Sequence, residues 1–266
     1  MTHGALTQLA HRPWPRPVAP WALAMEWHDL LFAHWPLPPE LLRPLIPPRL
    51  TLETYGGSAW VGIVPFRMAG VRPRLAPRVP WLSAFAELNV RTYVTDGVRP
   101  GVWFFSLDAA NPVAVELARL GFHLPYFDAT MTCAAAGDSV VYTSRRTHRG
   151  ARAARLTARY RPTGAVALSV PGSLESWLTE RYALYAANAS GTVWRGEIHH
   201  QPWPLQPAEA RFDDLAMLAQ IGLPEPSAPP LLHFARRLDV VAWLPERLSA
   251  MRGIGGAAPE IPPFLS

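Results

Sequence analysis

The most informative absence in this chain is lysine. None of the 266 residues is lysine, so all 25 basic side chains are arginine. Because no side-chain amine exists, the protein cannot form a Schiff base through lysine or supply the lysine of a phosphate-binding loop. Cysteine is nearly as scarce: the single residue, Cys133, excludes an internal disulfide framework and a cysteine-rich zinc site.

Long apolar runs and the common catalytic motifs are missing as well. No stretch reaches the roughly 18 uncharged apolar residues that a transmembrane helix needs, and residues 1–24 do not read as a signal peptide. The absence of GxGxxG, Walker, HExxH, CxxC and GxSxG motifs argues against dinucleotide oxidoreductases, nucleotide hydrolases, zinc proteases and α/β-hydrolases. We therefore expect a cytoplasmic protein with no membrane partner, no cofactor and no metal site.

The overall composition is that of a globular protein. Apolar residues make up 49% of the chain and charged residues 17%, a balance that leaves ample material for a core. We expect a Pro- and Arg-rich N-terminal arm over residues 1–24, a single domain over residues 25–248, and a Gly- and Pro-rich tail over residues 249–266.

Alternating hydrophobicity and turn signals predict about ten strands and three or four short helices, linked mostly as hairpins. One hairpin is expected where a Gly-Gly turn joins Leu50–Tyr55 to Ala59–Met68. Helices are expected over Pro112–Leu120, with Asn111 as N-cap and Gly121 closing the helix, over Leu174–Arg181 after Ser173, and over Phe212–Leu223. The sum favours an α+β fold, predominantly antiparallel β, closed into a barrel or folded into a sandwich.

The strand predicted at Phe85–Val94 carries its functional groups on one face. Alternate residues place Glu87, Asn89, Arg91 and Tyr93 on one side, while the other side is largely apolar. An unpaired charge in a dry core costs several kcal/mol, so the polar face must meet water or line a polar cavity. The next run is apolar and aromatic, as in a strand covered on both sides, which favours the cavity.

Two interpretations of Glu87 and Arg91 stay open. In one, Arg91 neutralises Glu87 in a purely structural network. In the other, Arg91 binds a substrate carboxylate and Glu87 works as general acid or base, with Asn89 and Tyr93 as ligand-binding neighbours. Tyr126 is a candidate wall residue with a polar tip.

Arginine and histidine clusters supply further candidates. The formal charge of +5 and the seven arginines of Arg145–Arg161 suggest nucleic-acid binding. The residues of this segment alternate as in a solvated hairpin, which is the interpretation we favour. A ligand-facing Arg146 or His148 ranks second, and nucleic-acid binding ranks last. His199 and His200 are neighbours on a predicted strand, so they point to opposite faces and cannot share a metal ion without a bulge. A structural role is favoured, and His200 remains a candidate ligand-binding residue.

Several segments in a fixed order resemble the YqjF-like family, known as domain of unknown function 2071. They include ELNVRTYV at residues 87–94, GVWFFSLDA at 101–109, SLESWLTERYALY at 173–185 and HHQPWPLQ at 199–206, and the resemblance spans roughly residues 25–245. That family resembles in turn the acetoacetate decarboxylase superfamily, here through LRPLIPPRL at residues 42–50 and VELAR at 115–119. The second resemblance implies a closed or conical antiparallel β-barrel around a ligand cavity, with a few short peripheral helices.

The same resemblance bears on mechanism. The decarboxylases of the superfamily carry their Schiff-base lysine just after this helix, where the present chain reads Leu120-Gly121-Phe122-His123. Decarboxylation through an imine is therefore unavailable. What the resemblance leaves is a cavity lined by Glu87, Asn89, Arg91 and His123, suited to a small carbonyl or carboxylate compound.

The sequence thus predicts a barrel that binds a small molecule. The leading interpretation is a lysine-independent enzyme acting on a small carbonyl or carboxylate compound by lyase or proton-transfer chemistry. A ligand-sensing or carrier module without catalysis is the alternative, and an Arg-rich nucleic-acid-binding protein ranks last. A homo-oligomer is left open.

Overall fold

The computed structural model describes residues 3–79, 83–188 and 190–248. Within them, a thirteen-stranded sheet is accompanied by short helices. The strands are β1 (Leu23–Leu37), β2 (Thr51–Leu52), β3 (Ala59–Pro73), β4 (Phe85–Thr95), β5 (Pro100–Ala109), β6 (Tyr126–Ala136), β7 (Ser139–Arg146), β8 (Arg155–Pro162), β9 (Ala183–Ala187), β10 (Val193–His200), β11 (Gln206–Ala216), β12 (Leu231–Ala242) and β13 (Glu246–Arg247). The helices are α1 (Pro39–Leu42), α2 (Pro112–Phe122) and α3 (Leu174–Thr179), with 3-10 turns at Gly4–Thr7, Arg43–Leu45 and Ala219–Ile221.

Nine of the strands close into a barrel, which confirms the predicted fold class. Starting from β5, the order is β6, β7, β8, β11, β12, β1, β3 and β4, and β4 returns to β5. These pairs are antiparallel except for β5 with β6. A second, smaller ring shares β1, β3, β4, β5 and β12 with the barrel, because β9 pairs with β5 and β10 pairs with both β9 and β12.

The shared strand β4 is buried on both faces. On one face of β4, Leu88 and Val90 belong to the largest apolar cluster together with Tyr142 of β7 and Tyr160 of β8, so this face fills the interior of the nine-strand barrel. On the other face, Tyr93 packs with residues of α3, β5 and β6. The polar face of β4 is therefore turned toward the smaller ring rather than the interior of the larger one.

The predicted helix over Phe212–Leu223 is wrong. Most of its first half belongs to β11, and helical structure is limited to the 3-10 turn at Ala219–Ile221. The reason is visible in the alternation of β11, in which Ala208, Ala210 and Phe212 pack against the core and the residues between them are exposed. A period of two residues belongs to a strand, and β8 pairs along its length.

Two further boundaries differ from the expectation. Leu50–Tyr55 forms no hairpin with β3; β2 pairs with β4 instead, and only Tyr55 bridges to Ser58. Helix α2 begins as predicted, with the Asn111 side chain accepting a hydrogen bond from the Ala114 amide. It then runs through Gly121 to Phe122, and the C-cap residue His123 takes the left-handed conformation with φ 55°.

The N-terminal arm packs along β10 and β12. The buried Arg12 forms an ion pair with Glu197 of β10, and Trp243 donates a hydrogen bond from Nε1 to the Ala19 carbonyl over 2.7 Å. The predicted tail over residues 249–266 lies outside the described residues. Among the helices of the described ranges, none has the length and apolar character needed to cross a membrane.

Candidate functional site

The polar row of β4 is buried. Glu87, Asn89, Arg91 and Tyr93 are 2%, 5%, 9% and 0% exposed, respectively. Polar groups withdrawn from water need partners, because an unmatched group loses the free energy of its hydration. Glu87 and Arg91, toward the two ends of the row, contact different partners, and Asn89 in the middle has fewer.

The Glu87 end is organised by two tyrosines. Tyr126 of β6 donates a hydrogen bond from its hydroxyl to Glu87 Oε2 over 2.9 Å, and Tyr142 donates to the Glu87 backbone carbonyl over 2.7 Å. Burial raises the pKa of Glu87 to about 8, with the Tyr126 hydrogen bond acting in the opposite direction. Glu87 is therefore largely protonated at neutral pH, and its free oxygen, Oε1, is the one that can carry the proton.

A pH dependence of stability follows from Glu87. Its pKa in the folded protein, about 8, lies above its ordinary value of 4.5, so the folded state retains a proton that the unfolded chain releases. We expect the free energy of unfolding to fall as pH rises from about 5 to 8. In Glu87→Gln this decrease should be smaller, by a few kcal/mol at most. Urea titrations at several pH values in this range measure the free energy of unfolding. The exposed Glu209→Gln variant should keep the wild-type slope, and an unchanged slope in Glu87→Gln would contradict the assignment.

The Arg91 end holds a buried positive charge. The guanidinium lies 5.2 Å from the Phe32 ring centroid and 5.7 Å from that of Tyr93. Its Nη2 donates to the Leu178 carbonyl over 3.3 Å and to the Tyr93 hydroxyl over 3.5 Å, both long for hydrogen bonds. Nε is buried without a partner, and no Asp or Glu of the described residues forms an ion pair with Arg91. The charge is thus left without a counter-ion from the described chain.

Glu87 and Arg91 do not neutralise each other. Four residues along a strand separate their Cα atoms by about 13 Å. Glu87 reaches toward β6, whereas Arg91 lies over Gly62 of β3. The structure therefore contradicts the interpretation in which the two form a structural ion pair.

His34 is a member of the site that sequence reasoning missed. It is fully buried on β1, and its Nε2 lies 2.7 Å from the Tyr93 hydroxyl. Burial, followed by the Arg91 charge, lowers the pKa of His34 well below its usual 6.5, so the ring is neutral. The other ring nitrogen, Nδ1, is buried without a partner in the described chain. The available signal was the alternation of β1, which puts Phe32 and His34 on one face.

Gly62 makes room for both His34 and Arg91. It pairs with His34 on one side and with Arg91 on the other. A Cβ at this position would lie 3.0 Å from His34 Cδ2 and 3.3 Å from Arg91 Cγ. The absence of a side chain therefore lets the two residues meet over the β3 backbone.

The substitution Gly62→Ala is expected to displace His34 and Arg91. Overpacking of this kind destabilises a protein by about 1–3 kcal/mol. Thermal melting measures the effect. Gly121→Ala is the control, since no atom lies within 4 Å of its added Cβ in α2. It should be neutral or slightly stabilising, and equal behaviour of the two variants would contradict the packing argument.

The structure brings Tyr126 to the β4 row but places three other predicted residues elsewhere. His123 stacks on Trp194 of β10 with ring centroids 4.2 Å apart. Arg146 lies in the interior of the nine-strand barrel, where its Nη2 is 2.5 Å from Asp108 Oδ1. His200 stacks on Tyr182 at 4.7 Å. Their ligand-binding roles stay predictions.

His200 is nevertheless connected to the row through aromatic contacts. Its ring lies 5.2 Å from that of Trp203, which in turn meets Phe32 at 4.8 Å. Burial lowers the pKa of His200 to about 4. Its Nδ1 lies 2.7 Å from the Gln201 carbonyl, and Nε2 is buried without a partner.

Asn89 occupies the middle of the row. Its Oδ1 is buried and has no hydrogen-bond partner within the described chain. The site as a whole thus offers a buried cation, a neutral imidazole, an amide and a protonated carboxyl. Across the described residues, no three His, Cys, Asp or Glu side chains come together as a metal site requires.

Comparison with known proteins places the chain in a family. The model of DUF2071, described as "Uncharacterized conserved protein", matches residues 24–239. The protein described as "Uncharacterized protein YqjF" from Bacillus subtilis (strain 168) is 44% identical over 223 residues, which cover 84% of this chain and 91% of that protein. The chain belongs to the DUF2071 family. The family resemblance read from the sequence is therefore confirmed.

Solved structures share the fold at low identity. The acetoacetate decarboxylase of Legionella pneumophila aligns with a TM-score of 0.59 and 12% identity over 90% of this chain and 93% of that one. The enduracididine biosynthesis enzyme MppR, complexed with pyruvate, gives 0.59 and 12% over 87% and 92%. An acetoacetate decarboxylase-like enzyme from Sphingomonas wittichii RW1 gives 0.58 and 15% over 87% and 94%. The acetoacetate decarboxylase-like fold is thus confirmed.

Proposed function

We propose that this protein binds a small compound bearing a carboxylate and a carbonyl group on the polar face of β4. The observation that carries the proposal is the buried guanidinium of Arg91, which has no carboxylate partner in the described chain. A buried charge without a counter-ion is destabilising, and proteins retain such groups where a ligand supplies the opposite charge. A carboxylate suits a guanidinium because two parallel hydrogen bonds can form.

Glu87 supplies the chemistry in this proposal. Because its pKa is raised to about 8, it holds a proton at neutral pH that can pass to a carbonyl oxygen. After that transfer the carboxylate is able to take a proton from the carbon next to the carbonyl. Tyr126 orients the group by donating to Oε2. Since the chain has no lysine, the reaction proceeds without an imine on a lysine side chain.

The names of the structural neighbours support the choice of ligand class. One neighbour is described as complexed with pyruvate, and another is named for acetoacetate. Both compounds are short oxo acids that combine a carboxylate with a carbonyl group. At 12% identity these structures share the fold with this chain, and the ligand class is part of the proposal.

Ion pairs on the Arg145–Arg161 segment favour this proposal over nucleic-acid binding. Arg155 pairs with Asp214, and Arg161 pairs with both Asp138 and Glu209. Arg146 is buried against Asp108. Arginines that are already paired with carboxylates contribute less to a phosphate-binding surface.

The test is a titration of the purified protein with oxo acids and matched neutral ketones. We expect pyruvate and acetoacetate to raise the melting temperature and to bind in calorimetry, whereas acetone, which lacks the carboxylate, does neither. No binding of any carboxylate at millimolar concentration would contradict the proposal.

Exchange in deuterium oxide separates an enzyme from a carrier. If Glu87 transfers protons, a bound oxo acid whose carbonyl reaches Glu87 should exchange the hydrogens next to that carbonyl for deuterium faster with the protein than in buffer alone, as followed by NMR. Glu87→Gln should retain binding and lose the exchange. Binding without catalysed exchange in the wild-type protein would favour the ligand-sensing or carrier alternative.

A further inference from the structure

The two charged ends of the β4 row lie far apart. Their Cα atoms are about 13 Å apart by strand geometry, and the side chains turn in opposite directions across the sheet. Arg91 Cγ lies over Gly62, whose other neighbour is His34 on β1. Glu87 instead reaches past β5 to Tyr126 on β6. A molecule that touches both ends must therefore be long.

The pKa of Glu87 agrees with this separation. Burial raises it to about 8, and the Tyr126 hydrogen bond is the opposing influence. A guanidinium close to a buried carboxyl stabilises the ionised form and lowers its pKa strongly. The Arg91 charge does, by contrast, lower the pKa of the adjacent His34. The Arg91 charge thus influences the pKa of the neighbouring His34 but not that of Glu87 at the other end of the row.

Unmatched polar atoms extend along the row. Arg91 Nε, His34 Nδ1 and Asn89 Oδ1 are all buried without a partner in the described chain. A short oxo acid held at Arg91 would leave the proton of Glu87 without a contact. A single longer ligand that passes Asn89 supplies an acceptor to both Arg91 and Glu87, and buried polar groups are usually matched in this way.

We infer that the ligand of this site is an elongated oxo acid, with its carboxylate on Arg91 and a carbonyl oxygen near Glu87. The inference rests on the proposed carboxylate site and adds the length of the ligand to it. Because Arg91 bends toward β3 and Glu87 toward β6, the two functional groups are separated by no less than the roughly 13 Å between their Cα atoms, and a hydrogen bond of about 3 Å at each end then leaves at least roughly 7 Å for the ligand. At about 1.5 Å per carbon–carbon bond, this distance takes at least about five bonds. A three-carbon acid such as pyruvate is too short to span it.

The test compares oxo acids of increasing length by calorimetric titration of the full chain. The series is pyruvate, levulinate and 6-oxoheptanoate, with heptanoate as the matched acid that lacks the carbonyl. We expect 6-oxoheptanoate to bind about tenfold or more tightly than pyruvate, and about fivefold to tenfold more tightly than heptanoate, the worth of one buried hydrogen bond. Glu87→Leu should reduce the second ratio to about one, because it removes the group that hydrogen-bonds the carbonyl.

The outcomes separate this inference from the proposal beneath it. If all the acids bind equally, or pyruvate binds best, the inference on length is overturned while the carboxylate site stands. If none binds, the proposed function itself fails. If Glu87→Leu does not fold, two measurements replace it. One uses the variant Tyr126→Phe, which frees Glu87 to move, and the other compares the binding of 6-oxoheptanoate and heptanoate to the wild-type protein. Equal affinity for these two acids would overturn the role of Glu87.

Discussion

Replacing Arg91 with methionine is expected to abolish carboxylate binding and, at the same time, to make the ligand-free protein more stable. The binding loss follows because Arg91 is the buried cation of the site, and removing one partner of a buried charge pair costs about 2–5 kcal/mol, on the order of a hundredfold in affinity. The gain in stability follows because the guanidinium has no carboxylate partner in the described chain. Replacing buried charges with apolar side chains stabilises proteins by about 1–4 kcal/mol.

The melting temperature of the ligand-free Arg91→Met variant should therefore rise by several degrees, at about 2–4 °C per kcal/mol for a chain of this size. Arg155→Met is the matched control, because its side chain is 51% exposed and pairs with Asp214 at the surface. It should change stability by less than about 1 kcal/mol and leave binding intact. A lower melting temperature together with unchanged binding in Arg91→Met would show that the residue is structural.

The substitution Asp108→Asn is expected to be the most destabilising single change in the barrel interior. Asp108 is 0% exposed and is the carboxylate partner of the buried Arg146. Burial raises the pKa of Asp108, and the Arg146 charge opposes that rise because it stabilises the ionised carboxylate. Removing one partner leaves an uncompensated charge in the core, which costs about 3–5 kcal/mol. The melting temperature should fall by roughly 10 °C.

Asp214→Asn provides the comparison for this prediction. It removes the partner of Arg155 at a position where the two side chains are 38% and 51% exposed, and such pairs contribute about 0–1 kcal/mol. The double variant Asp108→Leu with Arg146→Met should recover much of the stability lost in Asp108→Asn, because no charge remains buried. If Asp108→Asn melts no lower than Asp214→Asn, the buried pair is not a structural element.

The polar face of β4 could be predicted because it depends on local geometry alone. Alternate residues of a strand share a face, so Glu87, Asn89 and Arg91 had to lie together. Their burial is consistent with the apolar strand β5 beside them. The cap of α2 at Asn111 is local in the same sense, and it is present as predicted.

What the sequence did not reveal depends on contacts between distant segments. His34 joins the site only because β1 and β4 flank Gly62 of β3. Arg146 was a ligand candidate, yet the partner it meets is Asp108 on β5, 38 residues away and on the other side of β6. Such contacts depend on which strands lie side by side in the sheet, which the periodicity of a single strand does not contain.

A crystal structure of the protein soaked with 6-oxoheptanoate tests most directly whether Arg91 holds the carboxylate of a small ligand on the buried face of β4. We expect density along the row, with carboxylate oxygens about 3 Å from the Arg91 guanidinium nitrogens and the chain of the ligand passing Asn89. A row closed by protein side chains, with Arg91 paired to a protein carboxylate and the acid bound elsewhere, would contradict it.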